Sequence, residues 1–453
     1  MSAFVDSITR ARAGLAERAA DVPSTELASR LSSLRSDGLA AFDERGLPTR
    51  RDERWKGTNT ARLADLGFDR VGPADSFDDT TAETILEDPR VAAFDADLLF
   101  VDGRLVRGSA GRADLPAGVQ ILSLEEAATE IPDVVAAKLG ALVDPKTDAI
   151  AALNTGFFED AAVVTLAPNT RPGRVLRILS LATGASDEPT ANFARLLVVA
   201  GEGSEGMIVF ESATLGDAPG FTSVVSEFHI ADNAKIVAAE LQSASASRVQ
   251  VSQTRASLER DARFASHVLC LSEGLVRSEV EASMNAPGGL AGLYGLFLGR
   301  DEAHHDHFTT VEHAAPHCES DEEYRGVLAD RSAGVFRGRV LVRPDAQKTD
   351  ARQSNPNLLL SEGASIDTKP QLEIYADDVK ASHGSTIGQL DEEALFFLRA
   401  RGIDEATARL VLTRGFAQTF VDGIADESAR ALVTERLEAA LAGLESGAGE
   451  STA

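Results

Sequence analysis

Hydrophobic residues between about residue 160 and residue 390 occur in short runs rather than in long amphipathic stretches. "AAVVTLA", "RLLVVA", "RVQVSQT" and "GVFRGRVLV" are examples, each bounded by Gly, Asn, Asp or Ser. Because these short strands follow one another without long helices between them, the pattern predicts an all-β body more than ~200 residues long.

The strands carry many small residues and also Asn and Gln, which can stack on equivalent positions one turn away. A sandwich or a barrel of this size would show hairpin turns and a clear alternation of aromatic residues instead. The composition therefore favours a parallel β-helix, in which each coil covers the previous one. No strict hexapeptide or nonapeptide repeat is visible.

Helical patterns flank this body. Leu27, Leu31 and Leu34 recur at helical spacing near the N-terminus, and "DEEALFFLRARG" combines an N-cap at Asp391 with a stop at Gly402. Between the first helices and the β body, "ADLLFVDGRLV" predicts a hairpin and "SLEEAATEIPDVVAAKLGAL" a helix. The predicted segments are 1–60 helical, 61–155 mixed α+β, 156–390 parallel β-helix, 391–444 helical and 445–453 disordered.

Charge and composition narrow the function. A formal charge of −27 and a pI near 4.7 disfavour nucleic acid and anionic membranes, which both require basic surfaces. The chain has two cysteines, no apolar run long enough to cross a membrane and no signal-peptide pattern. We therefore expect a cytoplasmic protein whose partners are other proteins.

Two motifs that suggest enzymes have simpler interpretations. "GEGSEG" at 201–206 fits a dinucleotide fingerprint, but the strand-like "MIVFES" follows where that fingerprint needs a helix. We expect a glycine-rich turn there. Asp377 and Asp378 are adjacent, so on a strand they would face opposite sides, which does not suit a cooperating acid and base. No GxxxxGK[ST] motif for nucleotide hydrolysis is present.

Histidines are concentrated in "HHDHFTTVEHAAPHC", residues 304–318. A metal site would need converging ligands, so a surface or interface cluster is the favoured interpretation and a metal site the alternative. Of the two cysteines, Cys270 lies among apolar residues and Cys318 near acidic ones, and neither setting predicts a reactive thiolate.

His383 is a single histidine between Ser382 and Gly384, just before the helix that Asp391 begins. Lone histidines are usually structural. Here the small neighbours provide no apolar packing, so the ring is open to approach by another chain.

Several long phrases resemble one family. "RGLPTRRDERWK" at 45–56, "AQKTDARQSNPNLLLS" at 346–361, "TKPQLEIYADDVK" at 368–380, "SHG" at 382–384 and "LFFLRARGI" at 395–403 occur in the order typical of the SufB/SufD family of iron–sulfur cluster assembly proteins. The low cysteine content resembles the SufD type rather than the SufB type.

The resemblance implies a right-handed parallel β-helix with helical N- and C-terminal segments, acting as a scaffold subunit rather than an enzyme. It implies a heterodimer with SufB through the β-helix and docking of the ATPase SufC on the C-terminal helices, for which Leu395, Phe396, Leu412 and Phe416 are the candidate anchors. A homodimer of the isolated chain is a further alternative. This chain would bind no nucleotide, and the resemblance leaves the binding of a flavin open.

The family's functional SufD histidine matches His383, which would contribute to a transient iron–sulfur cluster shared with SufB and is the candidate metal ligand. Two positions depart from the family pattern, because Ala381 replaces the usual cysteine before "SHG" and Gly57 replaces the usual tyrosine after "WK". The first departure removes a second ligand. The alternatives are a SufB-type subunit that holds cluster by itself and a carbohydrate-active β-helix enzyme.

Overall fold

A computed structural model describes residues 2–18, 26–58, 60–72, 79–92, 94, 96–106, 115–183 and 189–447. These residues form eleven α-helices: Ala3–Arg18 (α1), Glu26–Arg45 (α2), Thr60–Asp65 (α3), Asp79–Leu86 (α4), Pro89–Ala92 (α5), Leu124–Glu130 (α6), Pro132–Lys138 (α7), Ala149–Phe157 (α8), Glu392–Arg399 (α9), Glu405–Asp422 (α10) and Glu427–Gly447 (α11). Of the tail predicted to be disordered, residues 448–453 lie outside the described residues. Among the described helices, none combines the length and apolar composition needed to cross a membrane.

Together with a short 3-10 helix, Glu53–Trp55, twenty β-strands make up the rest of the regular structure of the described residues. They are Arg70–Val71 (β1), Leu98–Val101 (β2), Arg104–Val106 (β3), Val119–Ser123 (β4), Ala162–Leu166 (β5), Leu176–Ala182 (β6), Thr190–Ala200 (β7), Glu205–Thr214 (β8), Gly220–Ile230 (β9), Lys235–Ser243 (β10), Arg248–Leu258 (β11), Arg263–Cys270 (β12), Leu275–Met284 (β13), Leu290–Gly299 (β14), His304–His313 (β15), Glu319–Leu328 (β16), Ala333–Val342 (β17), Asp350–Leu359 (β18), Ser365–Ile374 (β19) and Lys380–Gly388 (β20).

The strands build a parallel β-solenoid, which confirms the predicted fold class. From β5 onward, successive strands alternate between two sheets, and each strand pairs in parallel with the strand two positions later in the chain. Paired residues are not separated by a constant interval. Val249 pairs with Leu275 whereas Ala333 pairs with Ser365, so a coil takes 26 residues in one place and 32 in another. This variation explains why no strict repeat is visible in the sequence.

Side chains alternate between the inside of the solenoid, here called the lumen, and its outer faces. The lumen is filled mainly by stacked Val, Leu, Ile, Phe and Ala, including Val198, Val224, Phe264 and Leu293. Coil corners use residues that tolerate left-handed backbone, such as Asn233 at φ 60°. Short apolar strands joined by Asn or Asp corners therefore favour a solenoid built of successive coils.

Local predictions are confirmed at several elements. β2 and β3 form the antiparallel hairpin, and "GEGSEG" is the turn from β7 into β8. Asp391 caps α9, where it accepts hydrogen bonds from the backbone N–H groups of Glu393 and Ala394. The single helix expected in "SLEEAATEIPDVVAAKLGAL" is instead two helices, because Pro132 cannot continue α6 and starts α7.

Helical layers cover the two sheets from outside. α1, α2 and α8 pack with the sheet of odd-numbered strands through a cluster that includes Phe4, Leu153 and Phe221. α10 and α11 pack on the sheet of even-numbered strands through Phe420, Val433 and neighbouring apolar residues. The two sheets are thus covered on their outer faces by helices from the two ends of the chain.

At the N-terminal end, the sheets finish with the short strands β3 and β4, which are paired antiparallel to β2 and β5. At the C-terminal end, the sheets finish with β19 and β20, which have ten and nine residues. Each of these two strands has a paired neighbour on one side only. We call β19 and β20 together the C-terminal rim.

Candidate functional site

His383 lies on β20, the last strand of its sheet, and is exposed. In the parallel ladder it is opposite Gln353 of β18, which in turn is opposite Glu322 of β16. Neighbours at the same register in a parallel sheet project to the same face, and Gln353 and Glu322 are both buried in the lumen. The imidazole of His383 therefore lies over the mouth of the lumen at the C-terminal rim.

The residues beside His383 leave it accessible. Ser382, Gly384 and Ser385 are exposed, and a side chain added at Gly384 would meet no atom within 4 Å. Within the described residues, His383 has no hydrogen-bond or ion-pair partner. Ala381, where the family pattern has a cysteine, is half-buried against a small apolar cluster and supplies no ligand atom.

A polar pair lies directly behind His383 in the lumen. Glu322 accepts a hydrogen bond from the Nε2 group of Gln353 at 2.9 Å and another from the hydroxyl of Thr309. Burial raises the pKa of the Glu322 carboxyl to about 7, against the lowering effect of these two hydrogen bonds. The sequence analysis did not identify this group, although the alternation of buried and exposed residues along "SDEEYRGV" places Glu322 inside.

Apolar residues are exposed on the same rim. Tyr375 is 63% exposed and Ile387 is 54% exposed. Exposed apolar side chains next to strands with unpaired backbone groups are typical of a surface that another chain covers. Asp377 and Asp378 lie in the bend between β19 and β20, where Asp378 pairs with Lys348.

The surface or interface interpretation of the histidine cluster is wrong for His305, His307 and His313, which are buried, whereas His304 is half-buried and His317 is exposed. His305, His307 and His313 alternate along β15 and project into the lumen, where burial lowers the pKa of His305 and of His313 to about 4. His307 stacks on Phe297 with ring centroids 4.7 Å apart. Among the described residues, no group of three or more His, Cys, Asp or Glu side chains could hold a metal ion.

Both cysteines are buried and unpaired. Burial raises the pKa of the Cys270 thiol to about 12 and also raises the pKa of Cys318. Neither residue is an accessible thiolate that could hold iron, in agreement with the sequence analysis.

The C-terminal helices present a second exposed apolar surface. Phe396 is 75% exposed, but the other predicted anchors differ, since Leu395 is buried and Leu412 and Phe416 are half-buried. Phe416 packs against Arg325, whose guanidinium lies 5.1 Å from the ring centroid. Two further apolar residues of α9 and α10 are exposed, Phe397 and Val411, and neither was predicted from the sequence. We call Phe396, Phe397 and Val411 the helical patch.

An N-terminal segment, residues 45–58, crosses the outer face of the solenoid, and we call it the strap. Arg54 forms ion pairs with Glu279 at 2.8 Å and with Glu281 at 2.6 Å. The ring of Trp55 is buried under the guanidinium of Arg277, 4.4 Å from its centroid. These contacts were not predicted from the sequence, where residues 45–56 contribute only to the family resemblance.

The strap also reaches the C-terminal rim. Thr58 donates a hydrogen bond to Asp306, which is paired with the buried Arg277. Glu53 pairs with Lys369 of β19 at 2.9 Å, and its carbonyl accepts from Arg337 at 2.5 Å. The strap thus fastens the N-terminal layer to the last coils.

Two family models match this chain. The model for the SufBD protein N-terminal region matches residues 13–178, and the model for the SufBD core domain of the SUF iron–sulfur cluster assembly system matches residues 181–416. The chain is 28% identical to the iron-sulfur cluster assembly protein SufD of Escherichia coli (strain K12) over 400 residues, 88% of this chain and 90% of that protein.

Two further relatives give the same result. The chain is 29% identical to an iron-sulfur cluster assembly SufBD family protein of Synechocystis sp., across 83% of this chain and 84% of the relative. A SufBD family protein of Mycobacterium leprae is 31% identical across 65% of this chain and 74% of the relative.

Proposed function

Because the chain belongs to the SufBD family of the SUF iron–sulfur cluster assembly system, we propose that it is the SufD-type scaffold subunit of an assembly complex. The observation that carries the proposal is the position of His383, exposed over the lumen mouth on a strand with an unpaired edge. In this proposal the chain works in the cytoplasm with SufB and with the ATPase SufC, and hydrolyses no nucleotide itself.

The cysteines support the SufD type over the SufB type. A subunit that holds cluster by itself needs several accessible thiolates. Both cysteines of this chain are buried, and burial raises the pKa of each thiol. The thiolates that bind iron and accept sulfur would therefore come from SufB.

The C-terminal rim supports a heterodimer through the solenoid. β19 and β20 offer rows of backbone N–H and C=O groups that a partner's edge strands can complete, and Tyr375 and Ile387 supply apolar surface. Pairing there places His383 inside the new interface. A neutral imidazole in this position can bind iron or exchange a proton while iron and sulfide, the substrates, assemble on a SufB thiolate.

The helical patch supports docking of SufC. Phe396, Phe397 and Val411 are exposed on α9 and α10. Aromatic anchors of this kind fit an apolar groove on a partner. Leu395 instead holds α9 in place, because its side chain is buried.

The test is His383→Ala in the co-expressed complex with SufB and SufC. We expect unchanged subunit stoichiometry and loss of cluster formation, measured by visible absorption and by iron content after anaerobic purification. Ser382→Ala, a change at the exposed neighbouring residue, is the matched control and should assemble cluster normally. Normal cluster formation by the His383→Ala complex would overturn the proposal.

A further inference from the structure

The lumen directly behind His383 contains a buried polar atom that has no hydrogen-bond partner within the described residues. Gln353 is buried, and its Oε1 atom has no hydrogen-bond partner within the described residues. The amide has room only because Gly338 of the facing sheet has no side chain, since a Cβ there would collide with Gln353. A buried amide oxygen without a hydrogen-bond partner lowers the stability of the folded chain. The position of this oxygen, on the strand that pairs with the strand of His383, therefore needs an explanation.

Glu322 fixes the orientation of the Gln353 amide. An ionised carboxylate can only accept hydrogen bonds, and Glu322 accepts from Thr309 on one oxygen and from Gln353 Nε2 on the other. The amide must therefore present its nitrogen to Glu322 and its oxygen away from it. On the next strand in that direction, at the same register, lies His383.

We propose that Gln353, oriented by Glu322, is a positioning residue: the exposed His383 ring, which has no hydrogen-bond partner in this structure, turns to donate to the free Gln353 Oε1, and this bond fixes which ring nitrogen carries the proton. The other ring nitrogen then keeps its lone pair and faces the partner subunit. This inference rests on the proposed function of His383. Hydrogen bonds from a second residue commonly set the tautomer and direction of a functional imidazole in this way.

The arrangement depends on the charge of Glu322. Burial raises the pKa of Glu322 to about 7, so near neutral pH the carboxyl begins to take up a proton. A protonated carboxyl can donate as well as accept, and the Gln353 amide is then free to turn over. Glu322 contacts Thr309 of β15 and Gln353 of β18, and its charge acts on Tyr324 of its own strand. Asp321 lies on the outer face of β16, but its negative charge also helps to raise the pKa of Glu322.

The tautomer can be read from the imidazole ¹⁵N signals of the full chain labelled at histidine, with His383 assigned by comparison with His383→Ala. We expect one dominant tautomer at pH ~8, where Glu322 is ionised. Gln353→Met and Glu322→Gln should both abolish the preference at that pH. Glu319→Gln removes a carboxylate from an exposed position of the same strand and should leave the signals unchanged.

Cluster formation by the complex provides the second measurement. Gln353→Met and Glu322→Gln should each lower the rate by about tenfold or more, the usual cost of removing a group that orients a ligand. Unchanged ¹⁵N signals and an unchanged rate in both variants would overturn this inference while leaving the role of His383 intact. Full cluster formation by His383→Ala would overturn the proposed function instead, so the two failures are distinguishable.

Discussion

The Glu322 carboxyl lies inside the solenoid, where two hydrogen bonds replace the water that it loses. Burial disfavours its charged form and raises its pKa from 4.5 to about 7. Below the ordinary pKa, the carboxyl is protonated in both the folded and the unfolded chain, and its burial then carries no penalty for a charge. The fold loses stability as the pH rises through the interval from 4.5 to about 7.

Glu322→Gln should therefore gain stability relative to the wild type as the pH rises. The difference in the free energy of unfolding between pH ~5 and pH ~8 should reach about 3 kcal/mol at most. Urea denaturation of both proteins at the two pH values measures it, and Glu319→Gln, at an exposed position of the same strand, is the control. Equal stability differences at the two pH values would contradict the assigned environment of Glu322.

Single residues also show how far sequence reasoning reaches. The exposure of His383 could be predicted because its neighbours are small and polar. The burial of His305, His307 and His313 could not, because a cluster of histidines looks polar until the period of two along β15 is known to face the lumen. The pairing of Gln353 with Glu322 required the register between coils, which has no constant interval along the chain.

At the scale of elements, the strap shows how an irregular segment holds a layer in place. Arg54 and Trp55 contact residues of β13 that are more than 200 positions away in the chain. Such contacts leave no periodic pattern in the sequence. The segment "RGLPTRRDERWK" could therefore be matched to the family, but its role in fastening the N-terminal layer to the solenoid could not be predicted. The strands and capped helices, in contrast, followed from local patterns, as α9 and its cap at Asp391 illustrate.

Trp55→Ala should release the strap. Removing a buried indole from a packed site costs about 3 to 5 kcal/mol, and Arg277 would lose the ring beneath it. Arg50, Arg51 and Lys56 are already exposed, but trypsin needs the backbone beside them in an extended, free form. Release of the strap frees that backbone, so limited proteolysis followed by mass spectrometry should show faster cleavage within residues 45–58. Lys369→Ala breaks only an exposed ion pair and should not change the cleavage rate.

The helical patch gives a second prediction at this scale. Phe396→Ser should weaken binding of the ATPase subunit by on the order of tenfold or more without lowering the melting temperature, because the ring is exposed in the isolated chain. Leu395→Ser should do the reverse, since that side chain is buried. Calorimetric titration with the ATPase and thermal unfolding measure the two effects. Equal loss of affinity in both variants would argue against a docking role for the patch.

At the scale of the whole molecule, the C-terminal rim is the proposed contact surface for SufB. Ile387→Lys places a charge on the free edge, a device by which natural sheets avoid pairing. We expect the variant to remain folded but to lose association with SufB, and with itself, in sedimentation velocity experiments. Val411→Lys, the same kind of change at an exposed residue of the helical patch, is the control and should associate normally. Persistent pairing of Ile387→Lys would show that the rim is not the contact.

The two ends of the solenoid differ in a way that limits how large an assembly can grow. A coil that offered matching edges at both ends could add copies head to tail without limit and form a fibre. Here one end finishes in antiparallel strands of three and five residues, whereas the other finishes in long parallel strands. In the proposed pairing the long strands of the C-terminal rim accept the neighbour, so a contact between two such rims would end growth of the solenoid at two units.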